Sequence, residues 1–198
     1  MNSDYTHLTM VVDRSGSMQT ILSDAQGGLD LLLNDQFAQP GRFTLTLVQF
    51  DTVHDEVARM TTARPDYHLK PRGATALLDA VGRAITITGE DLAALPEDER
   101  PVHVLFCVVT DGEENSSEEW TLETLRAKID EQKTTYGWHF LFTGADDTKW
   151  QGEQLGMASA SYATATPGSS TSNYANISRA TTGIRTNSMD TYQVDDVQ

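Results

Sequence analysis

The stretch Val102 to Thr110 places the tightest limit on what this chain can become. Val102, Val104, Leu105, Phe106, Cys107, Val108 and Val109 follow one another almost without a polar break. A strand with one wet face alternates apolar and polar residues, so a near-continuous apolar run belongs to a strand covered on both faces. It is expected mid-sheet, with Asp111-Gly112 turning the chain at its end. His7 to Val12, closed by Asp13, reads as a second such strand, and Phe43 to Phe50, closed by Asp51, as a third. Val53 to Met60 reads as a shorter, partly exposed strand, and Trp138 to Phe142 as a further one.

Between these strands the apolar period changes from two to between three and four. Ile21, Leu22, Ala25, Leu29, Leu32 and Leu33 predict a helix from about Met18 to Asp35, ended by Pro40 and Gly41. Leu77, Leu78, Val81, Ala84 and Ile85 predict one over Ala76 to Thr88, after a Pro/Gly-containing loop from Arg64 to Gly73. A third is expected over Ser117 to Gln132 with Trp120, Leu122, Leu125 and Ile129 inward, and a short one over Lys149 to Leu155. Ala158 to Ser188 is rich in Ser, Thr, Ala and Asn, although Tyr174, Ile177, Thr181 and Ile184 keep a helical spacing. Strands alternating with helices imply an α/β fold: a doubly wound, mostly parallel central sheet with helices on both faces. With 198 residues, one domain over 1–190 is expected, with its core in 5–155, a weakly patterned part from 156 to 190, and a frayed tail from 191 to 198.

In such sheets ligands bind beyond the carboxyl ends of the strands. Asp13-Arg14-Ser15-Gly16-Ser17 stands there, directly after the first strand; Gly73-Ala74-Thr75 precedes the second long helix, and Thr110-Asp111-Gly112 ends the strongest strand. Each residue has an ordinary alternative role. Ser15, Ser17 or Thr75 would serve as a helix cap, and Asp13 or Asp111 would satisfy a turn. Three hydroxyls and two carboxylates would instead make a hard oxygen shell suited to Mg²⁺, Mn²⁺ or Ca²⁺ rather than zinc.

These five positions, Asp13, Ser15, Ser17, Thr75 and Asp111, in that order and on those elements, resemble the metal-ion-dependent adhesion site of von Willebrand factor type A domains and integrin inserted domains. The resemblance extends from about Tyr5 to Leu155 and implies a Rossmann-like fold. It implies that Ser15, Ser17 and Thr75 ligate a divalent cation directly, with Asp13 and Asp111 ligating or holding its waters. It also implies one open coordination position, filled by a Glu or Asp side chain of a protein partner. The function expected from it is a cation-dependent interaction module rather than an enzyme, in the manner of stand-alone type A domains of bacteria and phages. Some of these work beside ring-forming ATPases, which offers a partner class by analogy.

Other classes are weaker fits. A Mg²⁺-dependent phosphohydrolase with Asp13 as nucleophile wants a second carboxylate and a phosphate-steadying cation; Ser15 occupies the +2 position, and Arg14 and Arg72 are the nearest cations. A serine hydrolase lacks its G-x-S-x-G elbow. A purely structural or assembly subunit would carry the same residues. The formal charge of −15 disfavours nucleic acid and anionic membrane surfaces as partners. One cysteine, no apolar run of membrane length and a short polar N-terminus lead to the expectation of a cytoplasmic protein.

Rim residues Asp51, Asp79, Glu113, Glu114, Asp146 and Asp147 read as solvated acids stabilising helix N-termini, with shaping partner choice or tuning the field as the alternative. Arg14 reads as an exposed arginine free to meet an acidic partner. The scattered histidines read as structural or surface residues, Cys107 as a buried hydrophobe, and Trp120, Trp138 and Trp150 as core or helix-face anchors.

Overall fold

The computed structural model of the chain describes residues 2–144, 148–159 and 169–186. In chain order its elements are β1 (Asn2–Asp13), α1 (Leu22–Ala38), β2 (Arg42–Phe50), β3 (His54–Thr61), α2 (Leu77–Ala94), β4 (Pro101–Val109), α3 (Leu122–Tyr136), β5 (His139–Thr143), α4 (Lys149–Gln154), β6 (Ala158–Ser159) and α5 (Ser169–Arg185). They form a six-stranded sheet in the order β3-β2-β1-β4-β5-β6. All neighbours pair in parallel except β3, which is an antiparallel edge strand against β2.

Alternate residues of each central strand feed two separate cores. Leu8, Met10 and Val12 of β1, with Leu105, Cys107 and Val109 of β4, face α1 and α5. Val11 of β1, with Val104, Phe106 and Val108 of β4, faces α2 and α3. This is why those strands read as unbroken apolar runs: both faces are dry. The expected α/β architecture with helices on both faces is thus the observed one. β1 lies between β2 and β4, so the chain winds outward in both directions from it, and the carboxyl ends of β1 and β4 flank the switch point where this architecture opens a crevice.

Local details depart from the periodic reading. The chain after Asp13 first makes a 3-10 turn at Gly16–Thr20, so α1 starts at Leu22 and runs on to Ala38. α2 continues six residues past Thr88, to Ala94. α3 begins at Leu122 rather than Ser117, because Thr121 and Thr124 make a reciprocal capping box; Thr121 Oγ1 accepts from the Thr124 N–H at 3.2 Å. Leu122 is consequently exposed, not inward, and Trp120 precedes the helix with its indole against Gly82 of α2, leaving no room there for a Cβ. Trp138 is buried, whereas Trp150 is 42% exposed and is no core anchor. α5, in the weakly patterned region, packs through Tyr174, Ile177, Ala180 and Ile184 into the α1 core. Asp146, Asp147 and 191–198 lie outside the described residues.

Candidate functional site

β1 delivers Asp13 to the switch point fully buried. One carboxylate oxygen accepts the Ser15 N–H at 2.5 Å, and the other accepts the Thr110 hydroxyl at 2.5 Å from the neighbouring strand end. The Ser15 and Ser17 hydroxyls lie 2.9 Å apart, and Ser17 Oγ donates to Asp111 Oδ1 at 2.7 Å. Thr75 joins them across Gly112: a Cβ built on that glycine would stand 2.7 Å from Thr75 Oγ1 and 3.3 Å from both Asp13 Oδ2 and Ser15 Oγ. Two segments far apart in sequence therefore aim oxygen atoms at one small space beside a third, and only a glycine leaves that space open. Ser17 is exposed and Asp111 partly so, while Asp13, Ser15 and Thr75 are buried, so the cluster opens to solvent on one side.

Asp13 does take the turn role, through its bond from the Ser15 N–H, but the hydroxyls do not take the cap roles. Ser15 makes no side-chain cap bond to the 3-10 turn it precedes. The N-cap of α2 is Ala76, not Thr75, and α1 is preceded by Ile21. The hydroxyls of Ser15 and Ser17 are spent on each other and on Asp111.

What holds the three segments in register went unread in the sequence. Arg14 is 4% exposed, contrary to the expected surface position: its Nε donates to Asp51 Oδ2 at 2.7 Å and its Nη2 lies 2.6 Å from Asp55. Asp51, itself 1% exposed, also accepts from Arg72 Nε at 2.7 Å and from the Val53 N–H at 2.8 Å. Burial alone would raise its carboxyl; Arg72, Val53 and Arg14 together outweigh burial and hold it below the ordinary value. Backbone bonds follow the same lines, from Arg72 N to Arg14 O, Gly16 N to Gly73 O and Ala76 N to Asp51 O. Gly73 supports this with φ +69°, a left-handed conformation that glycine adopts without strain.

On the other side Asn115 Oδ1 accepts the Thr75 N–H at 2.9 Å, and its own N–H donates to Thr75 O. Glu114 is no free rim acid, since it accepts from the N–H groups of Leu78, Ser116 and Ser117. Asp79 likewise caps the N–H groups of Glu118, Glu119 and Trp120, while Glu113 stays exposed. Gln151 of α4 braces the loop from behind, bonding Gly112 O and the Glu114 N–H. The Thr-Asp-Gly string signalled Thr110, but nothing local signalled Asn115 or Gln151.

The donor set has only two carboxylates, and among the described residues no group of three or more His, Cys, Asp or Glu side chains is arranged to hold a metal ion. A cation here would rest on hydroxyls and water as much as on carboxylate. A buried carboxylate, hydroxyls aimed at one glycine-lined space and one solvent-open side are what a hard divalent cation would fit.

No protein-family model matches the sequence, and no curated protein sequence matches it significantly. Solved structures do. A von Willebrand factor type A protein from Catenulispora acidiphila superposes with a TM-score of 0.63 at 14% identity, over 91% of this chain and 43% of that one. The manganese-loaded TRAP protein of Plasmodium vivax gives 0.58 at 15%, over 79% and 64%. Proximal thread matrix protein 1 of the mussel byssus, with a zinc-occupied MIDAS motif, gives 0.60 at 14%, over 93% and 46%. The fold is that of a von Willebrand factor type A domain. This chain spans between about two fifths and two thirds of the length of those structures. Among the described residues no helix of this type A fold is long and apolar enough to cross a membrane.

The type A sheet carries two ionisable groups that burial drives in opposite directions. Burial, outweighing the bonds from Thr110 and Ser15 and aided by the nearby Asp111, pushes the Asp13 carboxyl up to about 6. Burial also pushes His7, held between Thr44 and Thr9 in mid-sheet, down to about 4. A carboxyl raised from 3.8 to about 6 stabilises the fold below its unfolded value and loses that contribution as pH rises through about 6. A histidine lowered from 6.5 to about 4 does the reverse, its contribution being lost as pH falls through that window. Each is worth about 3 kcal/mol, so in metal-free protein they largely offset one another. Asp13→Asn should unmask the histidine: in chelator, urea midpoints measured from pH 7 to pH 4 should fall more steeply for the variant than for the parent. Parallel curves would refute the assignment.

Proposed function

We propose that this chain is a divalent-cation-dependent protein-binding module. Asp13, Ser15, Ser17, Thr75 and Asp111 hold the cation, directly or through water, as a complete metal-ion-dependent adhesion site, and one coordination position stays open for an Asp or Glu of the partner. The convergence of Thr75, Asp13 and Ser15 oxygens on the space beside Gly112 carries this reading. The bound cation would act as a Lewis acid: two protein carboxylates leave it electron-poor enough to favour an added anion. The all-oxygen set suits Mg²⁺ or Mn²⁺ best, with Ca²⁺ as the larger alternative. The manganese and zinc carried by the two similar proteins named above support a divalent ion at this place in the fold.

The phosphohydrolase reading is second. Arg14 and Arg72 are committed to Asp51, so the nearest phosphate-steadying cations do not stand free. A non-enzymatic adapter in a reducing, cytoplasmic setting, with a ring-forming ATPase as one candidate partner class, is the fuller form of the proposal. The lone thiol, Cys107, is buried and plays no part in it.

Millimolar Mg²⁺ or Mn²⁺ should raise the melting temperature by about 5 °C or more at 100-fold excess over Kd. Asp13→Ala and Thr75→Ala should each abolish that rise. A parent protein indifferent to both cations would sink the proposal, and cation-dependent hydrolysis of a phosphate ester would reverse the ranking. Pull-down with and without chelator then identifies the partner.

A further inference from the structure

Near the site, two buried tyrosines have nothing to bond among the described residues. Tyr67, on the loop leading to Arg72, is 4% exposed, and Tyr174, on α5, is 1% exposed. Among the described residues neither hydroxyl has a hydrogen-bond partner. Tyr5, equally buried, shows the usual arrangement, its hydroxyl 2.8 Å from Thr44 Oγ1. A buried hydroxyl without a partner keeps its full desolvation cost, so two of them in one place call for a reason.

Their place supplies one. Both belong to the core cluster that holds Val12 and Met18, the residues on either side of the Asp13–Ser17 loop. They come from different elements, and both lie within electrostatic reach of Asp13; Tyr174 also feels Asp111 and Tyr67. Each phenol offers one donor hydrogen, and each ionised carboxylate has room for more than the bonds Asp13 now accepts. Carboxylates that ligate a metal are themselves generally held by a further ring of hydrogen bonds, and Thr110 and Ser15 serve Asp13 in that way here.

We propose that the Tyr67 and Tyr174 hydroxyls are positioning groups for the cation site, donating to Asp13, Asp111 or cation-held water when a divalent cation is bound. This rests on the cation-binding reading above. It predicts two effects of opposite sign from the same atom. Without cation each hydroxyl is a burden; with cation it is a support.

Tyr67→Phe and Tyr174→Phe remove only the oxygen and keep the core filled. In chelator each variant should melt at or above the parent, by about 2–4 °C. In a calorimetric Mn²⁺ titration each should bind about 10-fold more weakly than the parent. Affinity unchanged within twofold in either variant would overturn the proposal, the hydroxyls then being satisfied without reference to the cation. A variant that melts lower in chelator and also binds Mn²⁺ more weakly would mark a merely structural role and overturn it too. If the parent itself fails to bind Mn²⁺, the cation-binding reading falls first, and the parent titration shows that before either variant is made.

Discussion

Gly112→Ala should abolish cation-dependent stabilisation while leaving a folded protein. The added methyl would stand 2.7 Å from Thr75 Oγ1 and 3.3 Å from Asp13 Oδ2 and Ser15 Oγ, filling the space where those oxygens point. Gly112 does not occupy the left-handed region that would strain alanine, so the penalty falls on the site and not on the backbone. Thr75 must give way by a few tenths of an ångström, a packing cost of about 1–3 kcal/mol. The cation Kd should rise by at least about 100-fold, because ligand placement and outer bonds are lost together. Gly89→Ala, at a helical position with nothing within 4 Å, is the matched control. Mn²⁺ titration by calorimetry decides it; near-parental affinity in the Gly112 variant would mean that the oxygens do not meet over a cation.

The second large effect is on stability. Asp51→Ala leaves the Arg14 guanidinium buried without its 2.7 Å partner and releases Arg72 and the Val53 N–H at once. Removing one member of a buried ion pair costs about 3–5 kcal/mol, and Arg14 would keep only the half-exposed Asp55, 2.6 Å from its Nη2, against its charge. For a chain of this size that is a fall in melting temperature of roughly 10–15 °C. Arg72→Ala touches the same carboxylate but from a side chain 59% exposed, and should cost no more than about 1 kcal/mol. Equal losses in the two variants, or a loss below about 1 kcal/mol for Asp51→Ala, would show that Asp51 is not the joint between the loops. Because Arg14 sits between Asp13 and Ser15, Asp51→Ala should also weaken cation binding, a coupling that Arg72→Ala should share only faintly.

The contrast between Arg14 and Asp13 shows where sequence reasoning stops. Asp13 was legible because its position follows from a periodic signal: a run of residues dry on both faces must end at a sheet edge, and the architecture says which edge binds ligands. Asp111 was legible for the same reason, whereas Thr75, which ends no strand, was picked out by the resemblance to the metal-ion-dependent adhesion site. Arg14 was misread as exposed because its burial depends on Asp51 and Asp55, 37 and 41 positions away, folding back over it. Glu114 and Asp79 were misread as rim acids because an acidic loop looks alike whether its carboxylates face solvent or cap neighbouring N–H groups. Asn115 and Gln151 carried no pattern, since a single amide contacting a loop leaves no periodicity. Helix starts shifted by several residues where capping at Thr121 and a 3-10 turn after Ser15 overrode the apolar spacing.

The sequence by itself determined the layered α/β plan, because strand burial and helix amphipathicity are written in periods of two and of about 3.6 residues, and its resemblance to the adhesion site singled out five oxygen-bearing residues at the edge of that plan. Only the tertiary structure decided that the Thr75, Asp13 and Ser15 oxygens crowd around Gly112, that Arg14 and Asp51 pin their loops, and that two buried phenols lie near them without a partner among the described residues. Such contacts depend on where separate segments meet in space, and no local period encodes that distance.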